Sequence, residues 1–247
     1  MIWIYTIVSV LIISFISLVG VFSLSFDQKK LYKILIYLVS FSAGTLMGDA
    51  FLHLIPEAFE NSQNTIEISF SILGGILIFF LIEKLIRWRH CHEEPCIDHP
   101  HPFSYVILTG DAVHNFIDGV IIAGSFLASI PLGIATTVAV IFHEIPQEIG
   151  DFASLVYAGF SRAKALFFNF LTALTAVLGA VLILLINLNP ENLTAFLVPF
   201  AAGGFIYIAG TDLIPELHKH RSFKAGFWQT IAFVLGMGLM AGMLFLE

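Results

Sequence analysis

Apolar residues run along the chain in eight long blocks, roughly 2–24, 33–59, 67–88, 104–128, 132–158, 164–187, 193–217 and 226–246. Short polar linkers part them, among them Phe26-Asp27-Gln28-Lys29-Lys30, Glu60-Asn61-Ser62-Gln63-Asn64 and Asn187-Leu188-Asn189-Pro190. A helix crosses about 30 Å of hydrocarbon with about 20 apolar residues at 1.5 Å of rise each. The pattern therefore predicts an all-α membrane protein with eight transmembrane helices in a single domain over residues 1–247. The first block has no Lys or Arg before it and is too long for the apolar core of a signal peptide, so it reads as a retained span.

Charge sets the orientation. All eleven Lys and Arg residues lie in or beside the first, third, fifth or seventh linker, from Lys29, Lys30 and Lys33 to Lys219, Arg221 and Lys224. The other linkers and both ends of the chain have none. Basic linkers stay in the cytoplasm, so both termini are expected on the extracytoplasmic side of a cell or inner membrane. An even number of spans requires both termini on one side, so count and charge agree.

The chain also repeats itself. Ala43-Gly44 and Leu54-Ile55-Pro56-Glu57 in the second block match Ala202-Gly203 and Leu213-Ile214-Pro215-Glu216 in the seventh at one offset without a gap. The match sets His53 opposite Asp212. The second and seventh blocks cross in opposite senses, which is what an inverted repeat requires, and an inverted 3+2+3 arrangement follows.

Composition sharpens this reading. The chain is 58% hydrophobic and 12% charged, against about 25% charged residues in soluble domains, with a mean hydropathy of +0.92. A soluble enzyme and a disordered chain are excluded. The net charge of −7 excludes a nucleic-acid partner, which needs basic side chains for its phosphates. Cys91 and Cys96 allow one disulfide at most, and a reducing cytoplasm keeps both thiols free.

The acids are placed differently from the bases. Asp49, Glu57, Asp111, Asp118, Glu144, Glu148, Asp151, Asp212 and Glu216, half of the eighteen acids, fall inside blocks. Five of them sit in the fourth and fifth blocks with His114 and His143, and no Lys or Arg lies between Arg89 and Arg162. At about 2.5–3.5 kcal/mol per mid-bilayer charge on insertion scales, five isolated carboxylates cost on the order of 15 kcal/mol. Protons or bound cations must neutralise them, which makes the middle of the molecule a cation site.

Spacing supports it. Asp111, His114, Asn115 and Asp118 share one helix face, and His143, Glu144, Gln147, Glu148 and Asp151 repeat the pattern. Imidazole, carboxylate and amide ligands suit Zn²⁺ and also Fe²⁺, Mn²⁺ or Cd²⁺, and the absence of thiolate argues against Cu⁺. The ligands suffice for two adjacent ions. Pro146 removes one helix donor and is expected to open a kink that frees the Phe142 carbonyl near the site, and Gly119, Gly124, Gly150 and Gly159 are expected to let helices approach closely. A lone buried His or Asp is often only a bond between helices, but two facing stripes of polar groups outweigh that reading. His53, Glu57, Asp212 and Glu216 either line a path or pair structurally. Asn169 reads as structural, with completion of a second ion site as its alternative.

The third linker carries His90, Cys91, His92, Cys96, His99 and His101. It suggests a metal-capturing cytoplasmic loop over residues 89–103, with His218 and His220 on the same face.

His114-Asn115-Phe116-Ile117-Asp118-Gly119 and His143-Glu144-Ile145-Pro146-Gln147-Glu148-Ile149-Gly150-Asp151 resemble the paired signatures of the ZIP (Zrt/Irt-like) metal transporters. The second is similar to the His-Glu-x-Pro-His-Glu-x-Gly-Asp form of one subfamily. The resemblance covers the whole chain, and it implies a binuclear site between the fourth and fifth spans. His114, Asp118, His143 and Gln147 would serve one ion. Asn115, Glu144 and shared carboxylates would serve its neighbour, with Glu148 a further ligand. It also implies import toward the cytoplasm by alternating access. Gln147 stands where the subfamily has His, and an amide is a weaker ligand than imidazole. The expected partners are divalent metal ions, the lipid bilayer and a second copy in a homodimer. The alternatives are an intramembrane zinc metalloprotease, since His143-Glu144-x-x-Gln147 is similar to His-Glu-x-x-His, and a metal-sensing membrane protein.

Overall fold

The computed structural model describes residues 1–20, 28–61, 64–90, 103–186, 190–219 and 222–245. The cysteine- and histidine-rich linker 91–101 and His220 lie outside the described residues.

Eight helical rods follow the eight blocks. We label them α1 (Ile2–Ile16), α2 (Gln28–Asp49, a π-helical turn Ala50–Leu54, then Ile55–Asn61), α3 (Thr65–His90), α4 (Phe103–Ala128) and α5 (Ile130–Tyr157). They continue with α6 (Arg162–Ala173 and Thr175–Ile186), α7 (Pro190–Tyr207, a π-helical turn Ile208–Leu213, then Ile214–His218) and α8 (Phe223–Met243). Seven of the rods are long and apolar enough to cross a membrane. The other, α5, runs 28 residues, about 42 Å at 1.5 Å per residue, and carries the polar stripe from His143 to Asp151. The chain is an all-α membrane protein.

Several ends are set by local chemistry. Ser129 accepts from the Leu132 amide and is followed by Pro131, so α5 starts at once after α4. Ser161 and Ser222 cap α6 and α8 in the same way, satisfying an amide that has no partner within the helix. The first helix gives way to a 3₁₀ turn after Ile16, and the described part of its block, Ile2–Gly20, still forms one apolar span. The sixth block is two helices joined at Leu174 that together form one apolar span, Arg162–Leu185. One expectation is corrected. Gly159 is a turn glycine with φ 104° and not a helix contact, a backbone state that only glycine enters without strain. Helix α5 runs unbroken through Pro146.

The sequence repeat has a structural counterpart. The π-helical turns of α2 and α7 fall at matching places, each directly before Ile-Pro-Glu. A Cβ on Gly44 would stand 2.1 Å from the Phe233 carbonyl oxygen of α8, and one on the matching Gly203 would stand 2.1 Å from the Ile72 carbonyl oxygen of α3. The reciprocal contacts match too: Gly236 would meet the Phe41 carbonyl at 2.3 Å, and Gly75 the Phe200 carbonyl at 2.1 Å. The pairing of α2 with α8 is thus repeated as α7 with α3. In the middle, Gly119 and Gly179 bring α4 and α6 together, facing the carbonyls of Ala176 and Phe116.

These close approaches give three helix pairs, α2 with α8, α3 with α7 and α4 with α6. Helices α2 and α7 also contact each other at their π-helical turns, which joins the first two pairs into one group of four. The other holds α4 and α6, with α1 joined to α6 through Ser14, which donates to the Ala173 carbonyl, and α5 joined to α6 through Glu148 and Asn169. Where the groups meet, glycines face side chains: Gly150 of α5 faces Ser42 of α2, and Gly110 of α4 faces Ile208 of α7.

Candidate metal centre

Helices α4 and α5 bring four ligand side chains to one point. His114 Nε2 lies 3.4 Å from Asp118 Oδ2 and 3.3 Å from Glu144 Oε1. His143 Nε2 lies 3.5 Å from the same Asp118 oxygen and 3.9 Å from the same Glu144 oxygen. Ligand atoms of all four fit within 4.8 Å of one another. His114 and Asp118 sit one turn apart on α4, and His143 and Glu144 are neighbours on α5, so two backbones suffice to fix the set. The His114 and His143 rings meet edge to face with centroids 5.4 Å apart, and Phe205 of α7 covers the other side of His114 at 4.9 Å.

The remaining expected ligands take different places. Asn115 is buried and donates Nδ2 to Asp111 Oδ1 at 2.7 Å, which turns it toward the α4 carboxylate one turn back. Gln147 is buried, and its Nε2 has no hydrogen bond. Glu148 is buried and accepts from Asn169 Nδ2 of α6. Asp111 accepts from the Thr172 hydroxyl of α6. Asn169 thus holds a carboxylate in place. Thr172 gave no sequence signal, because a threonine in an apolar helix usually bonds its own backbone.

Burial without bonding is concentrated here. Among the described residues, buried polar atoms that lack a hydrogen bond include both nitrogens of His114, Asp118 Oδ2, His143 Nε2 and both oxygens of Glu144. Each such group costs about 1–3 kcal/mol. Imidazole nitrogens and carboxylate oxygens left bare around one point are the donor set a divalent cation satisfies.

A cavity of about 430 Å³ reaches the four-ligand point. His114, Asp118 and His143 line its inner end, together with Asp49 of α2, and Asp49 Oδ2 is buried without a hydrogen bond. From the sequence, Asp49 is named among the acids inside blocks but given no part in the site, since its spacing ties it to neither stripe. His53, Glu57, Glu60, Leu132 and Leu244 lie further along the cavity. It therefore opens at the face of the second and fourth linkers, opposite the basic linkers. His53 also meets the Met240 carbonyl of α8 at 2.9 Å.

A family model described as ZIP Zinc transporter matches residues 1–104 and 89–244. The chain is 32% identical over 273 residues to zinc transporter zipt-7.1 of Caenorhabditis briggsae, covering 85% of this chain and 70% of that protein. It is 33% identical over 239 residues to zinc transporter YKE4 of Saccharomyces cerevisiae, covering 83% and 69%. It is 34% identical over 218 residues to zinc transporter ZIP13 of Pongo abelii, covering 82% and 65%.

Proposed function

The chain belongs to the ZIP zinc transporter family, a family of membrane metal transporters and not of enzymes, and on that premise we propose that it imports Zn²⁺ toward the cytoplasm by alternating access. The observation that carries the reading is the convergence of His114, Asp118, His143 and Glu144 at the inner end of a cavity open to one face. The cargo is a borderline-soft dication, which two imidazoles and two carboxylates hold without a thiolate.

Each side chain has a task. Asp118 and Glu144 supply the negative charge that draws a hydrated cation from the cavity. His114 and His143 replace water in its coordination shell and favour Zn²⁺ over harder ions. Gln147 and Glu148 offer oxygens one turn further along α5, toward the basic face, and Asn115 offers one beside His114, so a cation leaving the four-ligand point meets further ligands. Phe205 and the packed ends of α5 and α7 close that direction in this state. The cavity then corresponds to an outward-facing carrier, and a shift of one helix group past the other moves the opening to the opposite face.

The test is zinc uptake into proteoliposomes, comparing the wild type with His143→Ala. Uptake in the wild type that the variant lacks is the expected result. Equal uptake in both removes the four-ligand point from the path. Metal binding without flux in the wild type turns the reading to a sensor. The hydrolase alternative finds no support, since Gln147 leaves the His143-Glu144 run without its second imidazole.

A further inference from the structure

The face opposite the cavity is held by a contact that joins the two helix groups. Tyr157, the last residue of α5, donates its hydroxyl to Glu216 Oε1 of α7 at 3.0 Å. The other Glu216 oxygen meets Lys219 Nζ at 2.6 Å. The Tyr157 ring packs against both a core cluster centred on α2, α4 and α7 and a second one centred on α5 and α6. One side chain thus spans the boundary with its ring and fastens it with its hydroxyl.

The repeat gives this contact its meaning. Glu216 matches Glu57, each closing a Leu-Ile-Pro-Glu run that follows a π-helical turn. Glu57 lines the cavity at one face, whereas Glu216 is fastened to Tyr157 at the other. Two copies of one sequence element therefore hold opposite states at once. In an inverted repeat, a change of state exchanges the surroundings of the two halves.

We propose that the Tyr157–Glu216 hydrogen bond is a latch that keeps the basic face closed, and that its release lets Glu216 take the cavity-lining place that Glu57 holds here. The proposal rests on the transport reading above. Tyr157 is a positioning residue in it and touches no cargo. A bond made in one state and broken in the other sets their ratio directly, and an acceptor carrying charge makes that bond stronger than a neutral one. The Lys219 side chain is 61% exposed, so its ion pair adds little, and the hydroxyl is the effective lever.

The test places single cysteines at two positions in a protein whose Cys91 and Cys96 are replaced by Ser. Ala135 lines the cavity. Ser154 is fully buried on the α5 face shared with Asp151 and Tyr157, three residues from each. Labelling by a membrane-impermeant maleimide, applied from each side of proteoliposomes, reads which face is open. Tyr157→Phe removes one hydroxyl and keeps the ring. It is expected to slow labelling at Ala135→Cys and speed it at Ser154→Cys, so that the ratio of the two rates shifts by about tenfold for a charge-assisted bond. Glu216→Ala should give the same shift, and the double variant no more than either alone. Unchanged rates at both positions in Tyr157→Phe overturn the latch, as does a rise at both, which marks a loosened fold. Zinc flux is followed in the same vesicles: wild-type flux with unshifted labelling defeats the latch alone, whereas absent wild-type flux defeats the transport reading.

Discussion

His114 of α4 and Glu144 of α5 meet Nε2 to Oε1 at 3.3 Å, both out of contact with solvent. Neither of these atoms makes a hydrogen bond. The two helices hold them there, and the cost of leaving them bare is borne by packing elsewhere. Such an arrangement is prepared for a third atom between them, and Asp118 and His143 aim at the same point. Asp118→Ala is expected to abolish zinc uptake in proteoliposomes while the protein still elutes from size exclusion as a folded species. Retained uptake with the fold intact would remove Asp118 from the path.

The close approach of α4 to α6 depends on Gly119. A Cβ there would stand 1.9 Å from the Ala176 carbonyl oxygen. Gly119→Ala forces the two helices apart and should cost about 1–3 kcal/mol, the usual penalty of overpacking. Gly238 on α8 has nothing within 4 Å of its Cβ position, so Gly238→Ala should be neutral or slightly stabilising through helix propensity. Thermal unfolding in detergent compares the two. Equal melting temperatures would mean that the α4–α6 contact relaxes freely.

Much of this was legible in the chain. Eight apolar blocks gave eight rods because a bilayer leaves a buried backbone no partner outside its own helix. His114, Asp118, His143 and Glu144 were legible because acids and imidazoles at helical spacing in apolar helices, with no base nearby, demand compensation. Gly44 and Gly203 were visible as a repeat, but the carbonyls they face on α8 and α3 were not, since tertiary pairing leaves no mark on a single helix. The part taken by Asp49 depended on which way α2 turns toward α4, which periodicity does not fix. In the sequence Tyr157 is one more aromatic near a helix end, and only its neighbour on α7 sets it apart.

Asn169 ties α6 to α5 by donating to Glu148 and also reaches the Ser17 carbonyl at 3.4 Å. Asn169→Leu leaves a buried carboxylate without its donor and should lower stability by about 1–3 kcal/mol. Asn169→Asp instead sets a second carboxylate against Glu148, and like charges this close need a cation or a proton between them. The melting temperature of Asn169→Asp should therefore rise more on adding Zn²⁺ than that of the wild type. An equal rise in both would mean that the Glu148 region is closed to the cation.

Gln147 is 3% exposed, and its amide nitrogen has no hydrogen bond. It lies four residues after His143 on α5, so it occupies the next turn of the same face. An amide oxygen accepts hard and borderline cations alike, whereas an imidazole nitrogen favours Zn²⁺ over Mn²⁺. Gln147→His should therefore raise the preference for Zn²⁺ over Mn²⁺ in competition uptake by about tenfold, the step that about 1.4 kcal/mol of ligand preference represents. The turnover of Zn²⁺ should fall in the same variant, because a third imidazole deepens the well from which the ion must leave. An unchanged selectivity ratio, with uptake intact, would show that the Gln147 side chain points away from the moving ion. The metal preference of this chain would then be set by His114, Asp118, His143 and Glu144 alone.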